Sequence, residues 1–166
     1  MEVVAYDPDW PNRFVEERDA LFVTLEPWLA GEIEHVGSTA VPGLAAKPVI
    51  DIMVPVESLE ESRPAIRLLE ERHGYFHSAY KQDVMHWLGK PSQFVRTHHV
   101  HMVPSDSSLF QERLRFRDML RADSSLRRRY ESLKRRLASE FSKDREAYTR
   151  AKGPFIASAL SSTGVD

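Results

Sequence analysis

The strongest strand signal in the chain is the run Val49–Val56, which is apolar apart from one charged residue, Asp51. An apolar run of this length predicts a buried strand, and an unpaired carboxylate inside such a strand is costly. Asp51 therefore either serves a function or is bonded to neighbouring backbone amides. The run is far shorter than the roughly 18–20 residues of a membrane span, so we expect no membrane association.

Composition indicates a globular protein without cysteine chemistry. The 166 residues are 42% hydrophobic and carry a net charge of −2, which excludes a disordered chain, and this length predicts one domain over residues 1–166. The absence of Cys excludes disulfide scaffolds, thiolate zinc sites and cysteine nucleophiles. The acidic, proline-bearing start MEVVAYDPDW does not fit a signal peptide, and we expect a cytoplasmic location.

Helical and extended patterns alternate in the first two thirds of the chain. Apolar residues at helical spacing predict a helix over Pro11–Leu29. Ser58 begins a capping-box pattern for a helix to about His73, and Pro64 suggests that this helix starts near Arg63. The strand candidates are Glu32–Val36, Val49–Val56, Tyr75–Tyr80, Met85–Leu88 and Thr97–Val103.

The last third of the chain has a helical pattern throughout. It runs from about Ser107 to Ala159, with breaks predicted near Ala122–Ser125 and Ser139–Ser142, so we expect three helices. Together these patterns predict an α+β fold: a mixed β-sheet packed with helices over residues 1–105, followed by a helical C-terminal lobe over residues 106–166.

Charge is divided unevenly between these two parts. Residues 1–105 carry 9 basic and 16 acidic side chains, a net charge of −7, whereas residues 106–166 carry 14 basic and 9 acidic, a net charge of +5. The basic part is either a surface for an anionic partner or an arginine-rich solvated helical face. The run Arg127–Arg129 lacks interleaved aromatic residues, so nucleic acid is not an expected partner.

A candidate phosphate site precedes and includes the central strand. Gly37, Ser38 and Thr39 follow a short strand, and such a turn offers free backbone N–H groups and hydroxyls to phosphate oxygens. Lys47 adds a point charge suited to a polyphosphate, and Asp51 is a candidate magnesium ligand. The alternative is a simple Gly-Ser turn with a structurally bonded Asp.

Histidines are concentrated on a second strand candidate, which Arg96 precedes. Within Thr97–Val103, alternation places His99 and His101 on one face, where imidazoles suit metal ligation, proton transfer or phosphate binding. A histidine-triad hydrolase motif requires a third His at the position of Thr97, so that match fails by one residue. The alternative is a pair of half-exposed polar strand residues.

Further basic residues are placed so that they either line a nucleotide cleft or are simply solvated. In the helical lobe they are Arg117, Arg121, Lys134 and Lys152. In the first part of the chain, Arg96 and His35 are placed beside the candidate site, with His35 either in the core or in the cleft.

Several of these stretches together resemble the GrpB family. The resemblance covers nearly the whole chain, from about Val3 to Ile156, and its block from Gly-Ser-Thr to Lys-Pro-x-x-Asp is far more specific than its parts. The matching stretches are Tyr6–Trp10, Ile33–Leu44, Ala46–Ile52, His99–His101 and Phe116–Asp118, with Tyr130 and Lys134 downstream.

The resemblance implies a fold and a chemistry. GrpB-like proteins are placed in the nucleotidyltransferase superfamily, and the same domain also occurs fused behind a dephospho-CoA kinase. The superfamily implies a mixed sheet on which carboxylates hold two magnesium ions, which align a nucleoside triphosphate for attack at its α-phosphate. Carried over to this sequence, Gly37 and Ser38 hold the triphosphate and Asp51 is a metal ligand.

The sequence departs from the superfamily pattern at the second carboxylate, whose position is occupied by Met53. The third carboxylate falls near His99 or His101, so these residues join Asp51 as expected catalytic and metal-binding residues. Imidazole suits transition metals better than magnesium.

We therefore expect a nucleotidyltransferase-like enzyme, dependent on Mg²⁺ or Mn²⁺, that acts on a nucleoside triphosphate and an unknown small acceptor. The alternative is a non-catalytic module that binds a nucleotide or another phosphorylated small molecule. A third hypothesis is a phosphoester hydrolase that uses His99 and His101, against which Thr97 argues.

Overall fold

The computed structural model describes residues 1–162, and within them the chain forms five α-helices and five strands. The helices are α1 (Trp10–Leu25), α2 (Leu59–His73), α3 (Ser108–Ala122), α4 (Ser124–Glu140) and α5 (Arg145–Ser162). The strands are β1 (Glu34–Val36), β2 (Ile50–Val56), β3 (Phe76–Ser78), β4 (His86–Pro91) and β5 (Arg96–Pro104). Short 3₁₀ turns, Glu26–Trp28 and Ser38–Ala40, follow α1 and β1.

The strands of this region form one mixed sheet in the order β1-β2-β5-β4-β3. β2 and β5 are parallel neighbours, and the other neighbouring pairs are antiparallel. The parallel register places Asp51 beside His99 and Met53 beside His101. Since these two strands are adjacent, residues that are 48 positions apart in the chain share one small area of the sheet.

The two faces of the sheet have different partners. On β2, Ile52, Val54 and Val56 belong to the core that α1 and α2 cover. Met53 points to the opposite face, where it packs with Trp87 and with side chains from α3. Because side chains alternate along a strand, Asp51 shares the face of Met53. The helical lobe formed by α3, α4 and α5 therefore covers the face of the sheet that carries Asp51.

The helical lobe is joined to the sheet through the segment that follows the Ser38–Ala40 turn. Val41 and Leu44 of that segment are fully buried, and they belong to one apolar cluster with Phe116 of α3 and Tyr130 of α4. Burial of this kind contributes roughly 1.5–3 kcal/mol for each large side chain. The turn that carries the candidate phosphate residues is thus held between the sheet and the lobe.

The expected α+β fold, with a mixed sheet followed by helices, is confirmed. The expected breaks in the helical lobe also match the ends of α3 and α4. The start of α2 near Arg63 is wrong, because the helix begins at Leu59. The Ser58 hydroxyl accepts a hydrogen bond from the Glu61 N–H at 2.9 Å, and this cap keeps the turn before Pro64 helical.

None of the helices within residues 1–162 combines the length and the apolar character that crossing a lipid bilayer requires.

Candidate functional site

A cavity of about 760 Å³ lies between the sheet and the helical lobe. The turn after β1, the ends of β2, β4 and β5, and residues of all three lobe helices line it. Most of the residues that the sequence singles out meet here, although they come from distant parts of the chain. Its basic side chains include Lys47, Arg96, Arg113, Lys134, Arg145 and Lys152.

Asp51, His99 and His101 form a compact cluster on the sheet wall of the cavity. The Nδ1 atom of His99 lies 3.1 Å from Oδ1 of Asp51, and Nε2 of His101 lies 3.5 Å from the same oxygen. One potential ligand atom from each of the three residues lies within 4.8 Å of the other two. The parallel register of β2 and β5 produces this convergence, because it places the Asp directly beside the first His.

The electrostatics of the cluster favour an ionised carboxylate. Burial raises the pKa of Asp51, but the hydrogen bonds and charges of His101 and His99 outweigh it and hold that pKa well below its usual range. Burial lowers the pKa of His101, and Asp51 opposes the shift. Asp51 is therefore an anion at neutral pH, with both imidazoles directed towards it.

Gly37 is in direct contact with this cluster. Its φ of +76° and ψ of −176° lie in a backbone region that residues other than glycine avoid. A Cβ atom added here would lie 2.5 Å from Oδ2 of Asp51. The position therefore requires glycine for two reasons, and the backbone at the Gly-Ser turn lies against the Asp51 carboxylate. Ser38 follows at the cavity wall, beside Tyr130.

Thr39 and His35 form a buried pair beneath the turn. The Thr39 hydroxyl donates to the Val49 carbonyl at 3.0 Å and lies 3.0 Å from Nε2 of His35. The His35 ring stacks on Phe14 at 4.7 Å, and burial lowers its pKa to about 4. His35 thus packs in the core and supports the turn. Thr39 lines the cavity together with Gly37 and Ser38, but its hydroxyl is already engaged in a structural hydrogen bond.

Three lysines from three separate segments of the chain approach one another in the cavity. The amino groups of Lys47 and Lys152 lie 4.5 and 4.6 Å from the centre of the Tyr148 ring. Lys134 is 2% exposed and donates to the Ala45 carbonyl. Burial first, and the neighbouring cations second, lower the pKa of Lys134 to about 7 and that of Lys152 to about 8.

The predicted arginines differ in their roles. The Arg96 guanidinium stacks over Trp87 at 5.0 Å on the cavity wall. Arg117 donates to Oε2 of Glu34 at 2.7 Å and to the His35 carbonyl at 3.1 Å, so it joins α3 to β1. Both line the cavity, but Arg117 is already paired. Arg121, for which both a cleft and a solvated position were open, donates to the Ala40 carbonyl and is not among the residues that line the cavity.

Some residues of the cavity were not anticipated from the sequence, among them Trp87, Arg113 and Arg145. The Trp87 ring packs against the His99 ring at 4.9 Å. In the sequence, only its place two residues after Met85 on a strand candidate indicated that the two side chains share a face. Arg113 and Arg145 line the helical side, and no local pattern sets them apart from the other arginines of the lobe. Arg145 also donates to the Gln93 and Phe94 carbonyls, which ties α5 to the β4–β5 turn.

A metal ion fits this arrangement only in part. Asp51, His99 and His101 provide one carboxylate and two imidazoles, a donor set that suits one divalent ion. The position expected for a second carboxylate is Met53, which is fully buried in an apolar cluster with Val36 and Trp87. The residues present therefore fit a single ion and do not fit a pair of magnesium ions.

The fold and the cavity define a class: an α+β protein in which a mixed sheet and a cationic helical lobe enclose an Asp-His-His cluster beside a Gly-Ser turn. The chain belongs to the GrpB family, because the family model described as "GrpB protein" matches residues 1–162.

Similar proteins agree with this assignment. A UPF0157 protein of Pseudomonas aeruginosa is 39% identical over 164 residues, which cover 96% of this chain and 66% of that protein. The glutamate-rich protein GrpB of Alkalihalophilus pseudofirmus is 32% identical, with 93% and 90% covered. The crystal structure of the conserved protein GrpB from Enterococcus faecalis superposes with a TM-score of 0.82 at 34% identity, covering 97% of this chain and 96% of that one.

The expected relation to a dephospho-CoA kinase is also found. A dephospho-CoA kinase of Mycolicibacterium paratuberculosis is 29% identical over 186 residues, which cover 96% of this chain but 45% of that protein.

Proposed function

We propose that the cavity binds a nucleotide or another phosphorylated small molecule. The observation that carries this proposal is the charge of its lining, where nine Lys or Arg side chains face three Asp or Glu side chains. A polyphosphate carries several negative charges and matches such an excess. Burial and mutual repulsion lower the pKa values of Lys134 and Lys152, so an anion bound between them relieves an unfavourable arrangement.

Two further features suit a nucleotide. Gly37 and Ser38 line the same cavity as the lysines, and backbone N–H groups of such a turn are suited to bind phosphate oxygens. Tyr80 lines the same cavity and is 41% exposed, so its ring is accessible for stacking on a base. The ligand class that uses all of these groups has a polyphosphate chain and an aromatic end.

The second candidate function is nucleotidyl transfer to an unknown small acceptor. The contact between Gly37 and Asp51 favours it, because a phosphate held by the turn lies beside the carboxylate and the two imidazoles. A divalent ion held by Asp51, His99 and His101 would neutralise charge on that phosphate when bound. The acceptor oxygen would attack the α-phosphate, and pyrophosphate would leave. Met53 at the second carboxylate position favours binding without turnover.

Binding is tested by titrating inorganic triphosphate, ATP and a CoA precursor into the protein, with calorimetry and the melting temperature as readouts. At least one ligand should bind and raise the melting temperature. Lys47→Ala should weaken that affinity by about tenfold or more, since it removes a charge-assisted contact. The matched control is Lys143→Ala, which changes an exposed lysine in the turn between α4 and α5. If no phosphorylated ligand binds, or both variants bind as wild type does, the proposal fails.

Turnover is tested separately by measuring pyrophosphate release from each nucleoside triphosphate, with Mg²⁺ or Mn²⁺ and a panel of small acceptors. Release that Asp51→Asn abolishes supports nucleotidyl transfer. Binding that persists in Asp51→Asn, without release under any condition, leaves the binding module as the function.

A further inference from the structure

Met53 lies two positions beyond Asp51, on the same face of β2. Met53 is fully buried, and its cluster includes Met85, Trp87 and Val103. A magnesium ion takes oxygen ligands and keeps several waters, so it has no partner in such surroundings. The nearest other carboxylate on this face, Glu34, is the register partner of Met53 and is paired with Arg117 at 2.7 Å, so Asp51 is the carboxylate that remains beside the two imidazoles.

We infer that Asp51, His99 and His101 form a site for a single transition-metal ion of the Mn²⁺, Fe²⁺, Co²⁺ and Zn²⁺ class. The donor atoms are one carboxylate oxygen and one nitrogen from each imidazole, all within 4.8 Å of one another. Metal–nitrogen and metal–oxygen bonds are about 2.0–2.2 Å long, so one ion reaches all three atoms after small side-chain adjustments. Imidazole is a preferred ligand of these metals and a poor one for magnesium.

The surrounding residues fix the orientation of the donors. Trp87 packs against the His99 ring at 4.9 Å, and the Gly37 backbone limits the movement of Asp51. Among residues 1–162, the far nitrogens of the two rings, Nε2 of His99 and Nδ1 of His101, are buried without a hydrogen-bond partner. Both rings thus direct their engaged nitrogen towards one point beside the carboxylate.

All three residues line the cavity, so the remaining coordination positions of a bound ion face the space in which the ligand is proposed to bind. Catalytic metal sites have this arrangement, with three protein ligands and an open position, whereas structural sites are closed. The inference depends only on the donor set, and it holds whether or not the cavity accepts a phosphorylated ligand.

The first test uses the wild-type chain without any phosphorylated ligand. The protein is dialysed against a chelator and then titrated with Co²⁺, Mn²⁺ or Mg²⁺, with the visible absorption of Co²⁺ and calorimetry as readouts. We expect one Co²⁺ per chain, bound about 100-fold more tightly than Mg²⁺ because imidazole discriminates against the harder ion. Two Mg²⁺ ions per chain, Mg²⁺ affinity equal to that of Co²⁺, or no Co²⁺ binding would overturn the inference.

The second test uses single variants of the same strand. His99→Ala and His101→Ala should each weaken Co²⁺ binding by about 100-fold or more, since loss of an outer-shell partner alone costs about 10–100-fold. The matched control is His98→Ala, whose side chain is directed to the opposite face of the sheet, towards Glu17 and Lys90. Circular dichroism checks that each variant folds. Unchanged Co²⁺ affinity in both site variants, or an equal loss in His98→Ala, would contradict the assignment.

Discussion

The two walls of the cavity carry opposite charges, and these charges are balanced to different extents. On the sheet wall, the charge of Asp51 is compensated by His99 and His101, which lie within 3.5 Å of one carboxylate oxygen. On the helical wall, the buried Lys134 lies beside the half-buried Lys152, and loss of solvent together with mutual repulsion depresses their pKa values. The Asp51 carboxylate is thus hydrogen bonded within its own wall, whereas the acidic groups near the lysines only partly balance their positive charge.

This difference assigns separate roles to the two walls. A cluster that is already hydrogen bonded is suited to hold its geometry, as a metal-ligand set must. A group of desolvated cations is stabilised when an anion binds, because the anion replaces the favourable contacts with water that the cations have lost. Substitutions at Gly37, Arg117 and Lys134 separate these roles.

Gly37→Ala should cause a large loss of stability, because it places a methyl group against the Asp51 carboxylate. The new Cβ would meet Asp51 Oδ2 at 2.5 Å, and the backbone has a φ of +76°. Backbone strain of this kind costs about 1–3 kcal/mol, and displacement of the carboxylate adds to it. We expect the free energy of unfolding to fall by roughly 3 kcal/mol, measured by denaturant titration, and Co²⁺ affinity to fall with it.

Gly43→Ala is the matched control, since Gly43 has a φ of +81° but nothing within 4 Å of an added Cβ. It should show the cost of backbone strain while Co²⁺ binding stays at the wild-type level. Equal effects of the two variants on Co²⁺ affinity would show that the contact between Gly37 and Asp51 has no role in the site.

Arg117→Met should have an intermediate effect, because it breaks the link between the two walls. Arg117 is largely buried and donates both to Glu34 and to the His35 carbonyl. Hydrogen bonds to charged groups contribute roughly 1.5–3 kcal/mol, so chemical denaturation should show a loss of that size. Arg67→Met, which breaks an exposed ion pair within α2, should change stability far less. A comparable loss in both would contradict the assigned role of Arg117.

The last prediction concerns Lys134 and is a change in the pH dependence of stability rather than a loss at one pH. The folded pKa of Lys134 is about 7, against 10.5 for an exposed lysine. Between these values the unfolded chain binds more protons, so the free energy of unfolding should rise as the pH rises from about 7 to about 10. Lys134→Met should make that rise shallower, as measured by urea unfolding at a series of pH values.

The groups around Lys134 define the control. Burial is the main cause of its lowered pKa; Lys152, Arg135 and Lys47 add to the shift, and Glu131 opposes it. Lys143→Met removes an exposed lysine, and the pH dependence should keep its wild-type slope. If Lys134→Met also leaves the slope unchanged, Lys134 is charged in the folded protein at neutral pH.

Much of the sheet wall could be predicted from the sequence, because short local patterns within each strand mark its residues. Asp51 stands out as a charge in an apolar strand, and alternation alone places His99 and His101 on one face. The parallel pairing that joins the two strands was expected only as a mixed sheet. Its register, which brings Asp51 beside His99, comes from tertiary packing.

The helical wall was far less predictable, since its cations resemble those of any solvated helix. Lys134 and Lys152 were candidates for the cleft, but so was Arg121, which instead donates to the Ala40 carbonyl. Arg113 and Arg145 were not singled out at all. Only the docking of three helices onto the sheet selects which basic residues line the cavity, and no spacing in the sequence records that docking. The charge of residues 106–166 was the one usable signal.

The most direct test of the account asks whether both walls serve one ligand. Inorganic triphosphate is titrated into wild type and into His99→Ala, each with and without Mn²⁺, so that complexes of triphosphate with free Mn²⁺ are the same in both. We expect Mn²⁺ to raise the affinity of the wild type for triphosphate by about tenfold and to leave that of His99→Ala unchanged. Lys152→Ala should weaken triphosphate binding both with and without Mn²⁺. The same response to Mn²⁺ in wild type and in His99→Ala would contradict the account.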